Sequence, residues 1–156
     1  MRVIKAIVPI VFSIAITILF ISLYNKSQHQ QFSCTASHVL HAKDASINML
    51  INYTFDKKQG VVNITGNVNY INGEEKALNR KIIFNYHHEG NSYFLKSETN
   101  IVFPEDKIDD KELAQYLPAF LMNKNTSLYL KILRLGNGNY LFFYDPIPTY
   151  ICKKSV

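Results

Sequence analysis

The chain has 156 residues, 47% hydrophobic, 13% aromatic and 19% charged. That leaves room for one globular domain and one anchor, and it excludes a disordered or low-complexity chain. The net charge is +5, and Arg2 and Lys5 hold two of those charges ahead of an apolar segment, which leaves +3 for everything after them. The later charges alternate in sign, with Lys57-Lys58, Arg80-Lys81 and Lys153-Lys154 the only basic pairs. They read as solvated faces and exclude the concentrated basic stripe of a nucleic-acid binder.

Residues 6–24 are uncharged and rich in Ile, Val, Leu and Phe. As a helix they would extend about 28 Å, close to the hydrocarbon thickness of a bilayer. Pro9 stands near the start, where a missing amide donor does least harm. Arg2 and Lys5 precede the segment and Lys26 follows it, so the positive-inside rule puts residues 1–5 in the cytoplasm and the remainder outside. The apolar run exceeds the core of a cleaved signal peptide and no small-x-small site follows promptly, so an uncleaved transmembrane anchor is expected. Residues 25–33 then form a stem that spans at most about 30 Å. It holds an exported domain, residues 34–156, close to the membrane.

Cys34 and Cys152 are the only cysteines, and they bracket that domain. In an oxidising compartment such a pair normally forms a disulfide. Free thiols or a metal pair are the alternatives, and no CxxC or Cys/His cluster favours the latter. A bridge would bring the start and the end of the domain together.

The domain reads mostly in period two. Ile47, Met49, Ile51, Tyr53 and Phe55 alternate with polar residues apart from Leu50. A second run, 61–71, ends at the turn signal Asn72-Gly73. A third holds Ile82, Phe84 and Tyr86, and a fourth, 93–103, follows Glu89-Gly90-Asn91. Alternating β-branched and aromatic runs joined by short Gly/Asn turns are hairpin signatures. Residues 109–117 change to helical spacing behind an Asp cap, and Pro118 should stop that helix. Two more runs, 128–135 and 140–144, flank Gly136-Asn137-Gly138-Asn139, and Asp145-Pro146-Ile147-Pro148 forces an extended exit into Cys152. This predicts a mainly β (α+β) domain, an antiparallel sheet of about seven strands with one short helix. Stretches such as Leu128-Tyr129-Leu130 and 140–144 are apolar on both faces, which one short helix cannot cover. Either the sheet curls into a barrel or another chain covers it.

Chemistry has few places to reside. There is no phosphate loop, no metal-ligand spacing and no nucleophile elbow, so neither an enzyme, a cofactor nor a metal is expected. Glu105, Asp106, Asp109 and Asp110 form an acidic cluster without the interleaved spacing of a calcium loop, and they read as helix-start acids. Asn-x-Ser/Thr occurs at Asn52, Asn63 and Asn125 in a chain rich in Asn. His38, His41, His87 and His88 lie in a compartment that follows external pH, which makes them candidate pH-sensing residues against the plainer reading of exposed surface histidines.

The Lys/Arg-flanked anchor, the start Phe32-Ser33-Cys34-Thr35 and the exit Pro148-Thr149-Tyr150-Ile151-Cys152-Lys153 together resemble the FidL-like and MyfF/PsaF proteins of enteric bacteria. Those are small, ToxS-like inner-membrane companions of ToxR-type one-pass transcription regulators. The resemblance implies a single-pass inner-membrane protein with a periplasmic domain, an incomplete lipocalin-like barrel that the regulator's periplasmic domain completes. It further implies a role in fimbrial or virulence gene expression under acid or other external cues, with a bile-acid-like apolar ligand for the shared cavity. No ligand-contact residue carries over. The rival readings are a self-contained barrel holding an apolar ligand, and a fimbrial assembly factor acting by strand exchange.

Overall fold

The structure, a computed structural model, describes residues 12–21, 31–144 and 147–155. It divides into two units, Met1–Gln31 and Phe32–Val156. In the first, residues 12–21 form helix α1, whose Phe12, Ile18 and Phe20 are all exposed. This helix lies inside the predicted span 6–24; the rest of that span, residues 1–5 and stem residues 25–30 lie outside the described residues. Among the described residues no helix is long and apolar enough to cross a membrane.

In the second unit, period-two alternation becomes eight antiparallel strands: β1 (Gln31–His41), β2 (Ala45–Asp56), β3 (Gln59–Tyr70), β4 (Glu75–Glu89), β5 (Ser92–Val102), β6 (Ser127–Arg134), β7 (Tyr140–Tyr144) and β8 (Ile147–Lys154). They follow sequence order around a closed barrel, with β8 returning to β1. Every second residue points inward, as Ile47, Met49, Ile51, Tyr53 and Phe55 do along β2. Gly73 and Gly90 take positive φ in the hairpin turns, which only a residue without a Cβ adopts freely.

Two expectations are corrected here. The barrel is closed, where an incomplete one awaiting a partner's strands was expected. It has eight strands where about seven were expected, because the segment read as an extended exit is β8. The prolines of that segment hid it: Pro148 sits opposite Phe143, where the β7–β8 register shifts. A bulge or an irregular edge is where a strand tolerates a residue with no amide donor. Closure is sealed where β1 and β8 meet, with Cys34 opposite Lys154 and a Cys34–Cys152 disulfide whose Cα atoms are 5.4 Å apart.

The ends of the barrel differ. At one, which we call the turn end, the chain enters at Gln31 and short connections join β2 to β3, β4 to β5 and β6 to β7. Its interior is plugged by rings: Phe32 stacks on Phe55 at 4.5 Å and on Tyr140 at 4.2 Å, and Phe55 meets Tyr93 edge-on at 5.5 Å. Gly60 belongs to this plug, since a Cβ there would strike the Phe84 ring and stand 2.8 Å from the Thr54 carbonyl oxygen. The opposite, lidded end is covered by the crossover from β5 to β6. That crossover holds the four-residue helix α2 (Asp110–Leu113) and a 3-10 turn, Ala119–Leu121. Leu113, Phe120 and Leu121 are buried beneath it.

Candidate functional site

The lid is held down by charge. Arg80 on β4, read from sequence as part of a solvated basic pair, is in fact buried at 3% exposure. Its Nε donates to Asp106 Oδ2 at 2.9 Å, its Nη2 donates to the Ile108 carbonyl at 2.8 Å, and its Nη1 donates to Asp110. Asp106 also accepts from the backbone amides of Asn79 and Ile108, both at 3.0 Å. Burial opposes the Arg80 charge, but the hydrogen bonds and charges of Asp106 and Asp110 outweigh it, so the guanidinium is held above its ordinary pKa. Asp109 caps α2 by accepting from the Lys111 amide at 3.0 Å. The acidic cluster of the sequence is therefore a clamp and a cap. Two further tethers reach the hairpin ends: Tyr116 donates its hydroxyl to Asp44 at 3.0 Å, and Glu112 pairs with Lys76 at 3.0 Å while accepting from Tyr70.

Beneath the lid lies a cavity of about 200 Å³. Leu117, Pro118 and Leu121 roof it, while Met49 and Ile51 contribute apolar wall from β2. Three tyrosines supply its polarity. The hydroxyls of Tyr53 on β2 and Tyr150 on β8 are 2.7 Å apart. The Tyr144 hydroxyl on β7 is buried and has no hydrogen-bond partner among the described residues. Burial pushes Tyr53 up to about 12, partly offset by its bond to Tyr150, and burial also raises Tyr150 and Tyr144. All three stay neutral at physiological pH and can both donate and accept. The arrangement suits binding: an apolar pocket with one unused hydroxyl fixes the orientation of a small amphipathic molecule.

A second concavity, about 820 Å³, lies on the outer wall of β4, β5 and β6. His87 stacks on Phe94 at 4.8 Å and Phe94 meets Tyr129 at 5.1 Å, with Lys58 and Lys96 at its margins.

The histidines named from sequence are not brought together as one site. His38 lines the lidded cavity, its ring 5.6 Å from that of Tyr150. His41 is exposed, 3.4 Å from the Ser46 hydroxyl. His87 faces outward in the ring row, and His88 stacks on Tyr93 at 5.1 Å. Among the described residues no group of three or more His, Cys, Asp or Glu could hold a metal ion. The tyrosine cluster escaped the sequence reading. Tyr53 was placed on an inward face, but nothing in one dimension tells that Tyr144 and Tyr150 converge on it.

The family described as the YqeJ C-terminal domain matches residues 31–152. The chain is 28% identical over 112 residues to "Uncharacterized protein YqeJ" of Escherichia coli (strain K12), covering 70% of each chain. No solved structure matches.

Proposed function

The chain belongs to the YqeJ C-terminal domain family, and on that footing we propose that it is an exported, membrane-anchored accessory protein whose barrel takes up a small amphipathic molecule and, loaded or empty, tunes a ToxR-like membrane-bound transcription regulator. The observation that carries this reading is the lidded cavity with its Tyr144 hydroxyl, which has no partner among the described residues. A buried polar group without a partner is costly, and a ligand able to bond it removes the cost. The disulfide supports an oxidising compartment. The charge-flanked apolar N-terminus and the terminal cysteine segments support the anchor and the regulator as partner. A tether shared with that partner raises effective concentration, so a modest interface suffices. Because the ladder closes on itself, the regulator would be met through an outer face, with no strand lent to the sheet. The same closure leaves no free edge among the described strands for exchange with fimbrial subunits, so the assembly reading is not carried further.

Cavity size limits the ligand. A void of about 200 Å³ exceeds the roughly 150 Å³ that accepts benzene. It falls short of the usual range for drug-sized molecules, about 300 Å³ and above. A single-ring compound fits this cavity, whereas a bile-acid-like molecule exceeds it.

Two measurements test the proposal. Crosslinking the full-length, C-terminally tagged protein in native membranes should recover a single-span DNA-binding protein by mass spectrometry; recovery of fimbrial subunits instead, or of no partner, overturns the regulatory half. Titrating p-cresol into the purified full-length protein should give saturable binding, weakened about 2–10-fold by Tyr144→Phe. Linear, non-saturating uptake that is indifferent to Tyr144 overturns the cavity half.

A further inference from the structure

One end of the barrel carries a marked excess of positive charge. Lys57 and Lys58 form the β2–β3 turn, Lys131 and Arg134 close β6, and Lys153 and Lys154 end β8, so strand direction brings all six to the turn end. Every one is exposed, and no ion pair among the described residues involves any of them. Asp56 and Glu89 are the acids at this end. The lidded end mixes the signs: Lys43, Lys76, Lys107, Lys111 and Lys124 stand there among Asp44, Glu74, Glu75 and the acids of the crossover. Several of those acids are already committed to Lys76, Arg80 and Tyr116.

A one-ended cluster of unpaired lysines is expensive to maintain in isolation, since like charges within a Debye length, about 8–10 Å, repel. An extended anionic surface relieves that repulsion along the whole face at once, which a single small anion cannot do. The chain also reaches the barrel at this end, at Gln31. The neighbouring outer wall adds what an interfacial surface needs beyond charge. Phe94 on β5 and Tyr129 opposite it on β6 are 39% and 37% exposed, and an amphipathic tyrosine ring beside lysines is a side chain that settles at headgroup depth.

We propose that the turn end of the barrel is a docking surface for anionic phospholipid, contacted through Lys57, Lys58, Lys131, Arg134, Lys153 and Lys154. The membrane anchor is part of the function proposed above, and the docking surface rests on it only in that the anchor keeps lipid within reach. Docking by this end leaves the lid, its carboxylates and the cavity mouth pointing away from the lipid, open to ligand and partner.

The test reconstitutes the full-length protein into nanodiscs of neutral phosphatidylcholine alone or with phosphatidylglycerol added, and follows acylation of each lysine by mass spectrometry. Lys57, Lys58, Lys131, Lys153 and Lys154 should be acylated about fivefold more slowly or less in the anionic discs, while Lys43, Lys107 and Lys111 keep the same rate. High salt should abolish the difference. The exposed quadruple variant Lys57→Gln, Lys58→Gln, Lys153→Gln, Lys154→Gln should lose protection at Lys131 with an unchanged circular dichroism spectrum. Equal rates in both discs, or protection spread evenly over both ends, overturns the proposal. So does protection by inorganic phosphate without lipid, which marks a discrete anion site, or protection that appears only with an acidic partner protein. Anchoring is judged separately, by co-elution with neutral discs. If that fails, the same lysines are followed after adding the chain to preformed phosphatidylglycerol vesicles, so loss of the anchor and loss of the docking surface are distinguishable.

Discussion

One sheet makes both ends of this barrel, yet the ends are built by different physics. The turn end is closed by what cannot rearrange: stacked rings from Phe32, Phe55 and Tyr140, connections of a few residues, and a disulfide joining the first strand to the last. The lidded end is closed by what can. Its crossover carries only four helical residues and a single 3-10 turn, and its attachment depends on Asp106 and Asp110 around Arg80, Glu112 on Lys76 and Tyr116 on Asp44. Dispersion and covalent closure leave little to rearrange, whereas a crossover tethered by a few hydrogen bonds over a partly empty cavity can move when a ligand enters. The rigid closure and the lightly tethered crossover lie at opposite ends of the barrel axis. Segments that move in function are drawn from the less stable parts of a fold.

The largest effect should come from the turn end. Cys34→Ser with Cys152→Ser removes closure over a sequence separation of 118 residues and should cost about 4–5 kcal/mol in the chain-entropy account. Urea unfolding with and without reductant measures it. A loss below about 1 kcal/mol would mean that strand pairing alone closes the barrel, and the contrast between the ends would weaken.

Next comes the clamp. Asp106→Asn leaves the Arg80 guanidinium buried beside a neutral amide and should cost about 3–5 kcal/mol. The loss should be local, with faster hydrogen exchange at residues 103–121 and no change in the hairpin around Gly90. Uniform acceleration across both ends would show that the barrel opens as one unit and would break the comparison.

A third effect depends on pH. Burial holds the Tyr53 hydroxyl proton to about 12, and it raises Tyr144 and Tyr150 as well. An unfolded tyrosine releases its proton near pH 10. The neutral hydroxyls therefore contribute stability that is complete below about pH 10 and is lost as pH rises from there through about 12. Tyrosinate absorbance should lag behind that of the unfolded chain, then rise together with loss of the circular dichroism signal. Titration of all ten tyrosines near the ordinary value, with the fold intact, would show that the cavity is open to water.

The smallest effect sharpens the comparison most. Tyr144→Phe deletes a buried hydroxyl that has no partner among the described residues, so stability should change by less than about 1 kcal/mol in either direction. Ligand affinity should nonetheless fall. A clear destabilisation by urea unfolding would reveal a structural role for that hydroxyl in place of a reserved binding group.

By itself the sequence determined the element types apart from β8, the inward face of each long strand, the hairpin turns at Gly73 and Gly90, the cap at Asp109 and the pairing of Cys34 with Cys152. These are local or bookkeeping properties: side-chain period, backbone freedom at glycine, and a count of two cysteines in one domain. Only the tertiary structure decided that β8 returns to β1, that Arg80 is buried, that three tyrosines from distant strands share a cavity, and that six exposed basic residues gather at one end. Each of these depends on strand order and register around a closed sheet. Residues as far apart as Tyr53 and Tyr150 meet only because the ladder between them is complete, and no window of sequence contains that fact.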